Sequence, residues 1–200
     1  MLLNTLEFMA MNNPIRAIVQ DMIEAKTLRT YSTLAEDKVA LEIGCGNGTG
    51  TKLIQKYFHP REIYAIDLDP KMINIAKKNN KNKNIYFEVG DASKLQFENN
   101  RFDAIFDFGI IHHIPNWKDC LQELRRVLKP HGQLILEDLS IETFENSLGK
   151  ILKKVLDHPY NAMYKQEEFI SFLEHLNFTI KAKKTFTHLG FRYFIVIAEK

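Results

Sequence analysis

The chain has 200 residues, a formal net charge of +2, 45% apolar residues and 26% charged residues. That is the length and balance of one globular domain with a sizeable core. So small a charge gives no reason to expect a nucleic-acid partner, and no apolar run approaches the ~18–20 residues that span a bilayer. Two distant cysteines, Cys45 and Cys120, form neither a disulfide pattern nor a metal spacing and are expected as reduced thiols in the cytoplasm. Glu7 interrupts the apolar start Met1-Leu2-Leu3, so no signal peptide is expected.

Residues 1–35 are expected to form a helical extension outside the main sheet. Asn13 can cap a helix with Pro14 in its first turn. Ile15, Ile18, Val19, Met22 and Ile23 then make one apolar stripe, which fits a helix packed on the domain.

The run Val39-Ala40-Leu41-Glu42-Ile43 predicts a buried strand. Gly44-Cys45-Gly46-Asn47-Gly48 follows as a glycine-rich turn, and Leu53, Ile54, Tyr57 and Phe58 fall at helical spacing. A second strand, Ile63-Tyr64-Ala65-Ile66, ends in Asp67. Strand, glycine turn, helix, strand and terminal acid describe a nucleotide-binding βαβ unit. Glycines let the backbone approach a ligand without a Cβ in the way, and the acid can accept hydrogen bonds from two ribose hydroxyls. A dinucleotide fingerprint needs a glycine where this chain has Thr49. Glu42, two residues before the first glycine, is a poor neighbour for a pyrophosphate and a good one for a cation.

Glu42-x-Gly44-x-Gly46-x-Gly48, with Asp67 at the end of the next strand, resembles the class I S-adenosylmethionine-dependent methyltransferases, in the small-molecule, ubiquinone-biosynthesis-like branch. The resemblance implies S-adenosyl-L-methionine as cofactor and S-adenosyl-L-homocysteine as product. It implies a cofactor set of Glu42, Gly44, Cys45, Gly46, Asp67, Leu68, Asp91, Ala92, Asp107 and Phe108. It also gives residues 1–35 a second reading, as a lid over the substrate pocket, with Tyr31 placed to reach the methionine end.

Asp69 and Pro70 start a third helix, with Met72, Ile73 and Ala76 inward. Lys77 to Asn84 reads as a solvated helix end and turn. Ile85–Val89 is the next strand, and Gly90-Asp91-Ala92 leaves its tip. In the resembling family an acid and a small residue at this tip read the adenine; the other reading of Asp91 is a turn cap before Ser93. Phe102–Phe108 is the fourth strand, followed by Gly109-Ile110-Ile111-His112-His113. Ligands of open α/β sheets sit at the carboxyl ends of the strands, near the switch point, so Asp107 to His113 should line the crevice.

Asn116 is expected to cap a helix that carries Leu121, Leu124 and Leu128 inward and ends at Pro130-His131-Gly132, where the family commonly has Lys-Pro-Gly-Gly. Gln133–Asp138 is the fifth strand. Between it and the helix Gln166–Leu176, residues 140–165 read as an amphipathic surface helix or as an active-site cap. Phe144, Leu148, Ile151 and Val155 would then share one face. Phe178–Phe186 and Phe191–Ala198 alternate as a closing antiparallel pair. The fold class expected is α/β, a Rossmann-like three-layer sandwich on a mostly parallel seven-stranded sheet with an antiparallel last strand. Residues 36–200 form the cofactor-binding domain.

Methyl transfer is an in-line displacement at a sulfonium methyl group, and an acidic acceptor needs a base. His112 and His113 are the catalytic candidates by position, with a packed or capping histidine as the other reading of each. No metal site is expected, because no third ligand has a suitable spacing. The acceptor is expected to be a small molecule or a lipid. The lysines near 150–154 allow a peripheral membrane contact. A non-catalytic cofactor-binding protein and a nicotinamide-dependent oxidoreductase are the competing classes.

Overall fold

The computed structural model describes residues 25–145, 147–154, 158–188 and 191–200. The helix expected from Asn13 lies outside them; the first described helix is Lys26–Tyr31 (α1). The remaining order is Val39–Ile43 (β1), Thr49–Phe58 (α2), Glu62–Asp67 (β2), Pro70–Asn79 (α3), Ile85–Val89 (β3) and Phe102–Phe108 (β4). Trp117–Val127 (α4), Leu128–Leu139 (β5), Ser147–Leu152 (α5), Gln166–His175 (α6), Thr179–His188 (β6) and Phe191–Glu199 (β7) follow. The sheet runs β3-β2-β1-β4-β5-β7-β6. Only β7 is antiparallel to its neighbours.

Strands buried on both faces explain the continuous apolar runs of β1 and β4. On one face Phe102, Ile105 and Leu134 pack with Leu121, Leu124, Phe169 and Leu173 of α4 and α6. On the other, Ala104, Phe106 and Ile135 pack with Leu28, Leu53, Ile54 and Phe58 of α1 and α2. Phe58 meets Phe106 edge to face at 4.7 Å, and burying each such ring contributes roughly 1.5–3 kcal/mol. The register then sets the site. Ile43 lies beside Ile66 on one side and Asp107 on the other, and Asp67 lies beside Val89. The carboxyl ends of four adjacent strands therefore finish at one level. The chain order reverses between β1 and β4, the switch point where such sheets take ligands.

Three local expectations change. Asn116 has no side-chain cap bond to α4; its amide donates to Asp119 Oδ2 at 3.3 Å instead. Helix α4 stops at Val127 because residues 128–132 are drawn into a long, bulged β5, with His131 N–H donating to the Lys200 carbonyl at 3.0 Å. His131 adopts φ 61°, the left-handed turn that a glycine would occupy at less cost. The stripe expected across 144–155 is also broken. Phe144 ends a 3₁₀ turn, Ile141–Phe144, and is fully buried, whereas Ile151 on α5 is 61% exposed; Val155 lies outside the described residues. Ile141 N–H donates to the Tyr164 carbonyl at 3.0 Å, so the chain leaves β5 and returns at nearly the same point.

Candidate active site

The glycine turn is tied to β2 by its backbone. Cys45 N–H donates to the Ile66 carbonyl at 2.9 Å, and Gly46 N–H donates to Asp67 Oδ2 at 2.8 Å. Asp67 Oδ1 accepts from Asp69 N–H at 2.8 Å. Each carboxylate oxygen has two acceptor sites, so Asp67 holds the turn and keeps capacity for a ligand. Burial raises its pKa, against the lowering effect of the Asp69 and Gly46 amides. Gly44 has φ 61°, and a Cβ there would lie 2.3 Å from Ile110 Cγ1. The turn can pass beneath the loop after β4 only without a side chain.

Two supports were not visible in the glycine spacing. Gly50 packs the start of α2 so closely that a Cβ would lie 2.2 Å from Glu42 Oε1 and 2.9 Å from Phe108 Cδ2. The close-packing glycine thus stands one residue after Thr49. Asn79 and Asn80, in the stretch read as a solvated helix end, donate to the Asn47 and Gly48 carbonyls at 3.0 and 3.3 Å.

A cavity opens over these strand tips. Gly44, Gly46, Asp67, Leu68, Asp91 and Ala92 line it, with Phe108 and His113 on the β4 side. The Asp91 carboxylate accepts from Ser93 N–H and Oγ, both at 2.8 Å and both at Oδ1. The turn-cap role is therefore present alongside the cavity position.

Glu42, Cys45, Asp107 and His112 are absent from the cavity wall. Glu42 is buried under α2, where the Thr51 hydroxyl donates to it, and burial pushes its pKa up to about 8. Asp107 Oδ1 accepts from Ile110 N–H at 2.9 Å, while Oδ2 has no hydrogen-bond partner among the described residues. Burial, then the nearby Asp138 carboxylate, hold Asp107 well above the usual carboxylate range. Tyr31 is also away from the cavity; Lys184 of β6 sits over its ring at 5.6 Å.

The two histidines share a 3₁₀ turn, Ile111–His113, and separate in role. His112 is buried. Its backbone N–H donates to Asp138 Oδ2 at 3.1 Å and its Nδ1 pairs with Asp138 Oδ1. The Tyr164 hydroxyl donates to Asp138 Oδ2 at 2.6 Å. His113 faces the cavity, and its Nδ1 lies 3.1 Å from Nδ1 of His158. Burial, and then His112 nearby, lower the His158 pKa to about 4. His158 carries no spacing signal in the sequence, because it meets His113 from 45 residues along the chain. A basic depression lined by Asn99, Arg125, Arg126 and Lys200 sits at the other end of the central strands, where β4 begins and β7 ends.

Residues 41–136 match the family model described as a methyltransferase domain. A phthiotriol/phenolphthiotriol dimycocerosates methyltransferase of Mycobacterium leprae is 34% identical over 102 residues, 51% of this chain and 38% of that protein. A fatty-acid O-methyltransferase of Mycolicibacterium smegmatis is 33% identical over 123 residues, 59% of this chain and 45% of that protein. The chain thus spans less than half the length of these two relatives. A SAM-dependent methyltransferase of Aquifex aeolicus shares the fold, with a TM-score of 0.75 at 22% identity over 99% of both chains. The family match covers the glycine turn, the cavity acids and the histidine turn: residues 41–136 are similar to a methyltransferase domain, and they build the fold that the chain shares with an S-adenosylmethionine-dependent methyltransferase of known structure.

Proposed function

We propose that this protein transfers a methyl group from S-adenosylmethionine to a small-molecule or lipid acceptor. The observation that carries the proposal is the convergence of the glycine turn, Asp67 and Asp91 on one cavity at three neighbouring strand tips. The residues fit the cofactor. Gly44 leaves room that a Cβ would take, and Asp67 keeps acceptor sites for two hydroxyls after holding the turn. Asp91, with its Oδ1 engaged by Ser93, offers Oδ2 to an amine, and the backbone of Ala92 offers an N–H.

S-adenosylmethionine supplies an electrophilic methyl carbon on a sulfonium. The protein's task is to hold the acceptor in line, and orientation of this kind can supply roughly 7–11 kcal/mol. Phe108, Ile110 and Ile114 give the cavity an apolar side that excludes water. His113 is the imidazole on the cavity wall, placed to take the acceptor's proton. His112 acts as a positioning residue, held by Asp138 behind it. Glu42 and Asp107 support the strand tips from beneath. Phe144, His158 and Tyr164 carry the cap: His158 packs on Phe144 and meets His113, and Tyr164 reaches Asp138 near the end of β5. The apolar wall and the lipid-directed names of the two relatives support a lipid acceptor. Two buried, unpaired cysteines support a cytoplasmic location, and among the described residues no helix is long and apolar enough to cross a membrane.

Calorimetry tests the cofactor assignment. Wild type is expected to bind S-adenosylmethionine, and Asp67→Ala to weaken binding about 100-fold or more, since it removes a carboxylate that serves both ligand and turn. Equal binding by both proteins would end the assignment. Mass spectrometry of lipids and metabolites incubated with methyl-labelled cofactor separates transfer from mere binding: label that never leaves the cofactor would leave a non-catalytic binding protein.

A further inference from the structure

We propose that His112, His113 and His158 form a binding site for one transition-metal dication of the zinc class, with a coordination position left open toward the cavity. One nitrogen from each ring lies within 4.8 Å of the other two. The His113 and His158 Nδ1 atoms are 3.1 Å apart, against about 3.3 Å between ligands of a tetrahedral site with metal–nitrogen bonds of 2.0–2.1 Å. The three rings cluster with centroids 4.2 to 5.2 Å apart, inclined to one another by 37° to 63°. His112 brings the second feature of such a site. Its Nδ1 is engaged by the buried Asp138 carboxylate, which orients the ring and leaves Nε2 as the ligand atom. Asp138 is itself held by the Tyr164 hydroxyl and the Leu139 N–H. Three imidazoles suit zinc and its neighbours and leave a fourth position for a water or a substrate atom.

The cation would join the cap, through His158, to the loop after β4. Because His113 also lines the cavity, the open position lies where an acceptor oxygen or nitrogen would enter. That use rests on the methyl-transfer reading; the site itself does not. Coordination occupies the His113 lone pair, so in the metal-loaded protein the cation, and not the free imidazole, would meet the acceptor.

The test is a titration of the full chain, stripped with chelator, with cobalt(II) chloride, followed by visible ligand-field absorption and by zinc competition. Wild type should take up a single equivalent with the intense bands of a four-coordinate ion, displaced by zinc. His158→Gln and His113→Gln should each weaken binding 10-fold or more, while His131→Gln, at an exposed turn, should bind as wild type does. Circular dichroism confirms that each variant is folded. A wild-type chain that binds no cobalt or zinc overturns the site, as do folded His158→Gln and His113→Gln proteins that both bind like wild type. Calorimetry with S-adenosylmethionine on the stripped protein separates the two proposals, because either ligand can bind where the other fails.

Discussion

The two sides of the cavity are built in opposite ways. On the β1–β3 side the contacts are local: backbone to backbone, backbone to carboxylate and a few short side-chain bonds from Thr51, Asn79, Asn80 and Ser93, all within residues 42–93. Of its acids, Asp67 is half-buried and Asp91 is exposed. On the β4–β5 side the contacts join side chains far apart in the chain: His112 and Tyr164 each reach Asp138 across 26 residues, and His113 reaches His158 across 45. Its acids, Asp107 and Asp138, are wholly buried. On the methyl-transfer reading proposed above, the locally built side is a cradle for the cofactor and the side built from distant residues is a wall for the acceptor.

Substitutions can break that contrast. The largest effect is expected at His113→Ala, which should lower turnover by about 10²–10⁴ while leaving S-adenosylmethionine affinity within about threefold. A calorimetric affinity that falls with the rate would mean that the two walls are not separate. Glu42→Gln probes the base of the cradle through pH. Folded Glu42 keeps its proton up to about pH 8, whereas the unfolded chain releases it near 4.5. The native state therefore binds the extra proton across that window, and stability falls as pH rises through it. The substitution keeps an acceptor for Thr51 and should flatten this decline, adding on the order of a few kcal/mol at pH 8. Urea melts of both proteins at pH 5 and pH 8 measure the difference, and parallel pH curves would contradict it. Asn80→Ala should act least. It removes one amide from the Gly48 carbonyl in a turn held mainly by backbone, so about 1 kcal/mol of stability is expected. A collapse of cofactor binding in this variant would show that the cradle depends on side chains after all.

The same contrast explains what could be read from the residues alone. The cradle follows from local rules: an apolar run makes β1, glycines make the turn, and an acid ends β2. Its sheet and its acids at the strand tips follow from that spacing. The position of Glu42 does not, because a carboxylate before the first glycine can face the ligand or the helix, and the tight approach of Gly50 and the Thr51 hydroxyl turns it to the helix. The family resemblance puts Cys45 and Asp107 in the cofactor set, whereas both side chains are buried and neither lines the cavity. The histidine turn was legible as a pair. Its third member was not, because His158 arrives from a segment without a regular hydrophobic period, and only the closed fold sets it against β4.

The bond from Ile141 N–H to the Tyr164 carbonyl has a wider consequence. The segment between these residues begins and ends at one point of the sheet, so it behaves as a cassette. Because closing a longer loop costs only about 0.6 kcal/mol for each doubling of its length, exchanging or extending it need not disturb the seven strands. On the proposed methyl-transfer reading, acceptor choice diversifies by replacement of one continuous stretch, with the cradle left untouched.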